Sequence, residues 1–188
     1  MRVLIVDDES LIRMDLKDQL ESQGHRVVGQ GRTGVEALDL VKTIAADVLL
    51  MDIKMPELDG IEAARQIRHL NRLPVVLLTA YSQQELVKKA RESGVYGYLI
   101  KPVREEQLVP ALEMALGRFK DEQVMQEMMV KEKEKRQEQI VIHKAVGLIQ
   151  EQYGLAEEEA YKRIRQYSMD KKRPMIAVCQ QILKQRKK

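Results

Sequence analysis

VLIVDDES, residues 3–10, runs four apolar residues straight into three carboxylates, Asp7, Asp8 and Glu9. An apolar run without alternation belongs to a strand buried on both faces, as in a parallel sheet covered by helices. Crowded acids at the end of such a strand are costly, because each makes its neighbours harder to ionise. A well-solvated loop relieves the repulsion, and so does a cation lying among the carboxylates. The stretch therefore predicts a first strand of a parallel α/β sheet ending in an acidic rim.

Similar runs recur at residues 27–28 with their flanks, 48–51, 75–78 and 96–100. The segments between them carry helical spacing: Leu11, Met14, Leu16 and Leu20 in the first, and Val35, Leu38 and Val41 in the second. Ser10 is placed to cap the first helix and Gly24 to end it. Five strand–helix units make an α/β, doubly wound five-stranded parallel sheet, its crossovers right-handed.

From about residue 104 no strand signal appears. Residues 105–139 read as one long helix. Leu108, Leu112, Ala115 and Phe119 form a stripe that Val124, Met125, Met128 and Met129 continue more loosely. That stripe predicts a parallel dimeric coiled coil over residues 108–130, with a solvated connector as the alternative. Methionine specifies such a seam poorly, which suits conditional association. KEKEKRQEQ, residues 131–139, has no apolar residue and reads as a solvated helix laced by opposite charges. Three short helical patterns follow, at 140–152, 156–169 and 174–184, with Gly154 ending the first and Pro174 opening the last. The chain thus divides into residues 1–118, a helical linker or coiled coil over 119–135, and an all-α three-helix domain over 136–188.

Charge divides at the same place. Residues 1–118 carry 16 Lys and Arg against 18 Asp and Glu, whereas residues 119–188 carry 16 against 11. A basic helical module points to an anionic partner. One cysteine, Cys179, excludes an internal disulfide and fits a reducing cytoplasm. No signal-peptide pattern opens the sequence, and no apolar stretch nears the ~20 residues that span a bilayer. A cytoplasmic protein with no membrane partner is expected.

In a doubly wound sheet, sites form outside the carboxyl ends of the strands. There the sequence delivers Asp7 and Asp8, then Asp52 from VLLMD, Thr79 from VVLLTA, and Lys101 from YGYLIKP. Carboxylates with water are ligands for a hard divalent cation such as Mg²⁺. Asp8 is the expected direct ligand and Glu9 a solvated neighbour. A Gly-rich phosphate loop, a Ser-His-Asp set and a His/Cys zinc cluster are all missing from the sequence. An enzyme hydrolysing phosphate esters here would need a second metal set or a separate base, and the sequence supplies neither.

Asp-Asp, Asp, Thr and Lys-Pro, each at a strand end, resemble the receiver domain of bacterial two-component response regulators. The motifs are VLIVDDE at 3–9, MDIKMPELDGIEA at 51–63, LLTAY at 77–81 and YLIKPV at 98–103. The resemblance implies that Asp52 accepts a phosphoryl group from a sensor histidine kinase. It implies Mg²⁺ held by Asp8, Asp52 and the backbone carbonyl of Lys54, with Asp7 helping through water. Lys101 and Thr79 would contact the phosphoryl oxygens, Tyr98 would turn inward as a switch, and Pro102 would follow a cis bond. Lys54 and Tyr81 would stand where the family tunes loss of the phosphate.

Residues 136–185 are similar to the ANTAR domain, an RNA-binding module of transcription antiterminators. The matching elements are Ala145 and Gly147, EEEAY at 157–161, Arg165, Ser168-Met169 and Ala177-Val178. The chain departs from the family at Val146, where lysine is usual; Lys144 precedes the triplet. The resemblance implies that phosphorylation promotes a homodimer that binds paired hairpins in mRNA leaders. Lys144, Lys162, Arg163, Arg165, Lys171, Lys172 and Arg173 are the candidate RNA contacts. Tyr153, Tyr161 and Tyr167 are candidates to stack on unpaired bases. A DNA-binding regulator is the alternative, since a helix-turn-helix also has three short helices. It is disfavoured because no basic recognition helix stands out and the last helix presents an apolar face.

Overall fold

The computed structural model describes residues 1–70, 73–80 and 93–185. Residues 81–92, which include Tyr81, and the end of the basic tail at 186–188 lie outside the described residues. The chain divides into two compact units, Met1–Gln123 and Val124–Lys188.

In the first unit β1 (Arg2–Val6), β2 (Arg26–Gly31), β3 (Val48–Asp52), β4 (Val75–Thr79) and β5 (Gly97–Ile100) form one sheet in the order β2-β1-β3-β4-β5. All its pairings are parallel, with Val3 opposite Val48 and Leu49 opposite Val75. Among the described residues the helices of this unit are α1 (Ser10–Ser22), α2 (Gly34–Thr43), α3 (Gly60–Leu70) and the start of α4 (Glu105–Tyr153). Side-chain alternation divides each central strand between two cores. Leu4, Val6, Leu49, Met51 and Leu77 pack with Ala37, Val41, Ala63 and Ile67 of α2 and α3. Val3, Ile5, Leu50, Val76 and Leu78 pack with Leu16 and Leu20 of α1 and with Leu108, Leu112 and Ala115 of α4. Because both faces are covered, all five residues of β3 and of β4 are buried. β1 is next to β3 while the chain runs from β1 to β2, so the order reverses there and opens the crevice above Asp7 and Asp52.

Several expectations are corrected. Leu11 and Met14 are 76% and 60% exposed, and Val35 is also exposed. Leu16 and Leu20 face inward as expected, and Ile12 completes the stripe in place of Leu11 and Met14. Ser10 is the first helical residue rather than the cap; Glu9 holds the cap position without a side-chain bond. Gly24 does follow the helix end, at φ +79°. The expected break near residue 139 does not occur: α4 is one helix of 49 residues. Every residue of KEKEKRQEQ favours helix, and neither Gly nor Pro interrupts 118–146. Leu108, Leu112 and Ala115 are fully buried in the first unit, so they belong to its core and not to a dimer seam.

In the second unit the end of α4 packs with α5 (Glu157–Asp170) and α6 (Met175–Gln185). Its core is Ala145, Val146, Ala160, Ile164, Val178 and Cys179. Gly154 ends α4 at φ +65°, its N–H donating to Gln150 O at 2.9 Å. Among the described residues no helix is long and apolar enough to cross a membrane.

Candidate functional site

The carboxyl ends of β1, β3, β4 and β5 bring together the residues that the sequence singled out. Asp7 is fully buried. Its N–H donates to Gly31 O at 3.1 Å, its Oδ1 accepts from Glu9 N–H at 3.0 Å, and its carbonyl accepts from Arg13 Nη1 at 2.6 Å. Arg13 is itself buried on α1, and the sequence reading missed it. Its signal was a cation one turn into a helix that follows three acids.

Asp52 is buried at the end of β3, its Oδ2 accepting from Lys54 N–H at 2.7 Å. Lys101 Nζ bridges the two acids, 2.7 Å from Asp7 Oδ2 and 2.6 Å from Asp52 Oδ1. Burial pushes the Asp52 carboxyl up, and the Lys101 ammonium opposes this without cancelling it. Burial pulls Lys101 down, but its bonds and charge attraction to Asp52 and Asp7 outweigh that and leave it raised. Lys101 N–H donates to Thr79 O at 2.8 Å, which ties the end of β5 to β4. Thr79 is buried, Tyr98 is 45% exposed, and the Lys101–Pro102 bond is cis as expected.

Gly60 was also overlooked. Its N–H donates to Ile53 O at 2.8 Å, and a Cβ there would overlap the carbonyl oxygen of Asp52. Glycine therefore lets α3 start directly against the Asp52 backbone, and Asp59 Oδ1 caps that helix by accepting from Ile61 and Glu62 N–H. A DG pair before a helical pattern was the available signal.

Asp7, Asp8 and Glu9 each offer a carboxylate oxygen, and these lie within 4.8 Å of one another. Asp8 and Glu9 are exposed. Glu9 thus belongs to the acidic cluster, and Asp52 joins it through Lys101. The set is all oxygen, which fits a hard divalent cation and excludes a thiolate or imidazole preference.

In the second unit all seven candidate basic residues are exposed. Val146, by contrast, is 3% exposed within the three-helix core. Its position therefore presents nothing to a partner in this chain. Tyr153, Tyr161 and Tyr167 are roughly half exposed.

Residues 3–113 match the response regulator receiver domain family, and residues 132–183 match the ANTAR domain family. The transcriptional regulatory protein PdtaR of Mycobacterium tuberculosis is 38% identical over 97% of this chain and 89% of its own length. The chemotaxis protein CheY of Thermotoga maritima is 37% identical over 59% of this chain and 93% of its own length. Among solved structures, the receiver domain of a modulated diguanylate cyclase from Desulfovibrio desulfuricans G20 superposes with a TM-score of 0.59 at 36% identity. That match covers 64% of this chain and 96% of the other.

Proposed function

Because the chain belongs to the response regulators, joining a receiver domain to an ANTAR domain, we propose that it is a phosphorylation-controlled RNA-binding antiterminator. The observation that carries this reading is Asp52, a buried carboxylate at a strand end with Lys101 Nζ at 2.6 Å and an acidic cluster beside it.

A sensor histidine kinase presents a phosphorylated imidazole. An Asp52 oxygen attacks phosphorus, the new P–O bond forms, and the P–N bond breaks to leave the imidazole with its electron pair. Lys101 then balances charge on the transferred oxygens, and the Thr79 hydroxyl donates to one of them. Asp7, Asp8, Asp52 and the carbonyl of Lys54 are the residues that would hold Mg²⁺. When bound, the ion supplies positive charge that the acidic rim otherwise lacks. Hydrolysis of the acyl phosphate resets the site.

Movement of Thr79 and Tyr98 biases the unit toward a state in which two chains pair. Val124, Met125, Met128 and Met129 on α4 are more than half exposed and are the apolar surface for that pairing. Two ANTAR units then meet two hairpins of nascent mRNA, and effective concentration raises affinity without new contacts. Stabilising those hairpins prevents a terminator from forming.

The deciding experiment is a gel shift of the full chain, treated with acetyl phosphate and Mg²⁺, against hairpin RNAs and duplex DNA. Phosphorylated chain should shift RNA, and Asp52→Ala should gain nothing from treatment. Tight binding to duplex DNA alone refutes the RNA reading. Equal RNA binding by Asp52→Ala refutes the coupling.

A further inference from the structure

The three helices of the second unit enclose a cleft of about 670 Å³ between the end of α4, α5 and α6. That volume is in the range of small-ligand sites. Its floor is apolar, with Ile164 and Val178 from the unit's core. Its rim is of a different kind: Tyr153 and Tyr167 line it with Arg163 and the amides of Gln152 and Gln185.

Both rim tyrosines carry a cation. The Arg163 guanidinium lies 4.5 Å from the Tyr153 ring centroid, and Lys171 Nζ lies 5.9 Å from that of Tyr167. Tyr161, the third aromatic of the unit's surface, does not line the cleft. Tyr153 and Tyr167 are 50% and 47% exposed, which leaves these residues within reach of a planar ligand.

We propose that this cleft takes one unpaired base from the loop of a bound RNA hairpin, stacked against the rim tyrosines, with its backbone phosphate met by Arg163 and Lys171. The proposal rests on the RNA-binding reading of the ANTAR domain and names the place where that unit reads a base. Aromatic faces stack on any base, and planar guanidinium covering one ring keeps its N–H edge free for phosphate. A glutamine amide offers one donor group and one acceptor to a base edge, which gives selectivity where stacking gives none. Among the described residues after 139, 8 Lys and Arg stand against 5 Asp and Glu, so even with Glu151 lining the cleft the unit's charge favours a polyanion over a second copy of the chain.

The test uses the full chain phosphorylated with acetyl phosphate and hairpins of constant stem selected from a pool with randomised loops. Tyr153→Leu and Tyr167→Leu should each weaken binding roughly 10-fold, the loss expected for one stacked base. The slope of log affinity against log salt should stay unchanged, because no phosphate contact is removed. Tyr161→Leu should bind like the original chain. A readout that needs no altered protein replaces loop bases one at a time by abasic nucleotides. One position should cost the original chain roughly 10-fold and cost the Tyr153→Leu chain little.

Equal losses at Tyr161, or no loss at Tyr153 and Tyr167 while hairpins are still bound, overturn the cleft and leave the RNA reading standing. A loss of affinity that follows a change in oligomeric state overturns it too, because the cleft then belongs to a dimer surface. If no hairpin in the pool binds the original chain, both readings fall.

Discussion

Tyr96 Oη donates to Glu122 Oε2 at 2.7 Å, joining the segment before β5 to α4 across 26 residues of sequence. Phe119 meets the Tyr96 ring edge-on at 5.4 Å, and Arg68 Nη2 stands 3.6 Å from Glu122 Oε1. These contacts grip α4 just before it leaves the first unit. Tyr96→Phe keeps the ring contact and removes the hydrogen bond to a charged acceptor, so it should cost about 1.5 kcal/mol in urea unfolding. Burial and the neighbouring Glu122 carboxylate push the Tyr96 hydroxyl up to about 12. The native chain holds that proton more tightly than the unfolded chain, so the contribution is complete below pH ~10 and is lost on passing its raised value. Ultraviolet titration should show a late tyrosine step that Tyr96→Phe abolishes.

The Asp52 carboxyl is raised above its ordinary 3.8, chiefly by burial. The folded chain therefore binds this proton more tightly than the unfolded chain, and stability should fall as pH rises from 3.8 toward the raised value. In chelator, Asp52→Asn should remove that part of the slope and melt above the original chain at neutral pH. Lys101→Ala should do the opposite, at about 3 kcal/mol, because it strands two buried carboxylates. The Lys101 contribution is complete below its ordinary 10.5 and disappears only at more alkaline pH, since Asp52 and Asp7 raise it.

Mg²⁺ should stabilise the chain by about 2.7 kcal/mol at a hundred times its dissociation constant. Asp8 is exposed, so Asp8→Ala should keep the metal-free melting temperature and lose the Mg²⁺ increment. Phosphorylation by acetyl phosphate should fail in excess chelator and be severely slowed in Asp8→Ala.

Gly60→Ala should destabilise the first unit by about 3 kcal/mol, because its Cβ meets the Asp52 carbonyl and the Ile53 backbone, which cannot yield as a side chain can. Acyl-phosphate formation should slow as well, since relief of the clash moves the Asp52 backbone. A melt paired with a phosphorylation time course separates the two effects.

Val146→Lys restores the residue usual in the family but puts an ammonium into a core position that is 3% exposed. It should cost the second unit about 2 kcal/mol and add no RNA affinity. Calorimetry and gel shifts on the same sample check both halves.

The acidic rim was legible because its chemistry is written next to the strand that carries it. Asp7 follows an uninterrupted apolar run, Asp52 follows another, and Lys101 precedes a proline after a third. Arg13 was not legible, because a lone arginine in an amphipathic helix ordinarily faces water. Here it lies against the Asp7 carbonyl, a partner fixed by how α1 docks on β1. Leu11 and Met14 mislead for a related reason. The spacing placed Leu16 and Leu20 correctly but left the first turn open between neighbouring apolar residues, and the sheet chose Ile12. The continuity of α4 was hidden by a loss of apolar residues at 131–139, where helix propensity and opposite charges sustain the helix without a buried face.

Local patterning by itself determined the strand and helix types, the five-stranded parallel sheet and the residues at the strand ends, since burial on both faces and caps act over a few residues. Tertiary packing alone decided that Lys101 bridges Asp7 and Asp52, that Leu108, Leu112 and Ala115 close a core, and that Val146 is buried. It also placed Tyr153, Arg163 and Tyr167 on one cleft and left Tyr161 off it. Each of these depends on distances between segments far apart in the chain, and such distances exist only once the backbones have packed.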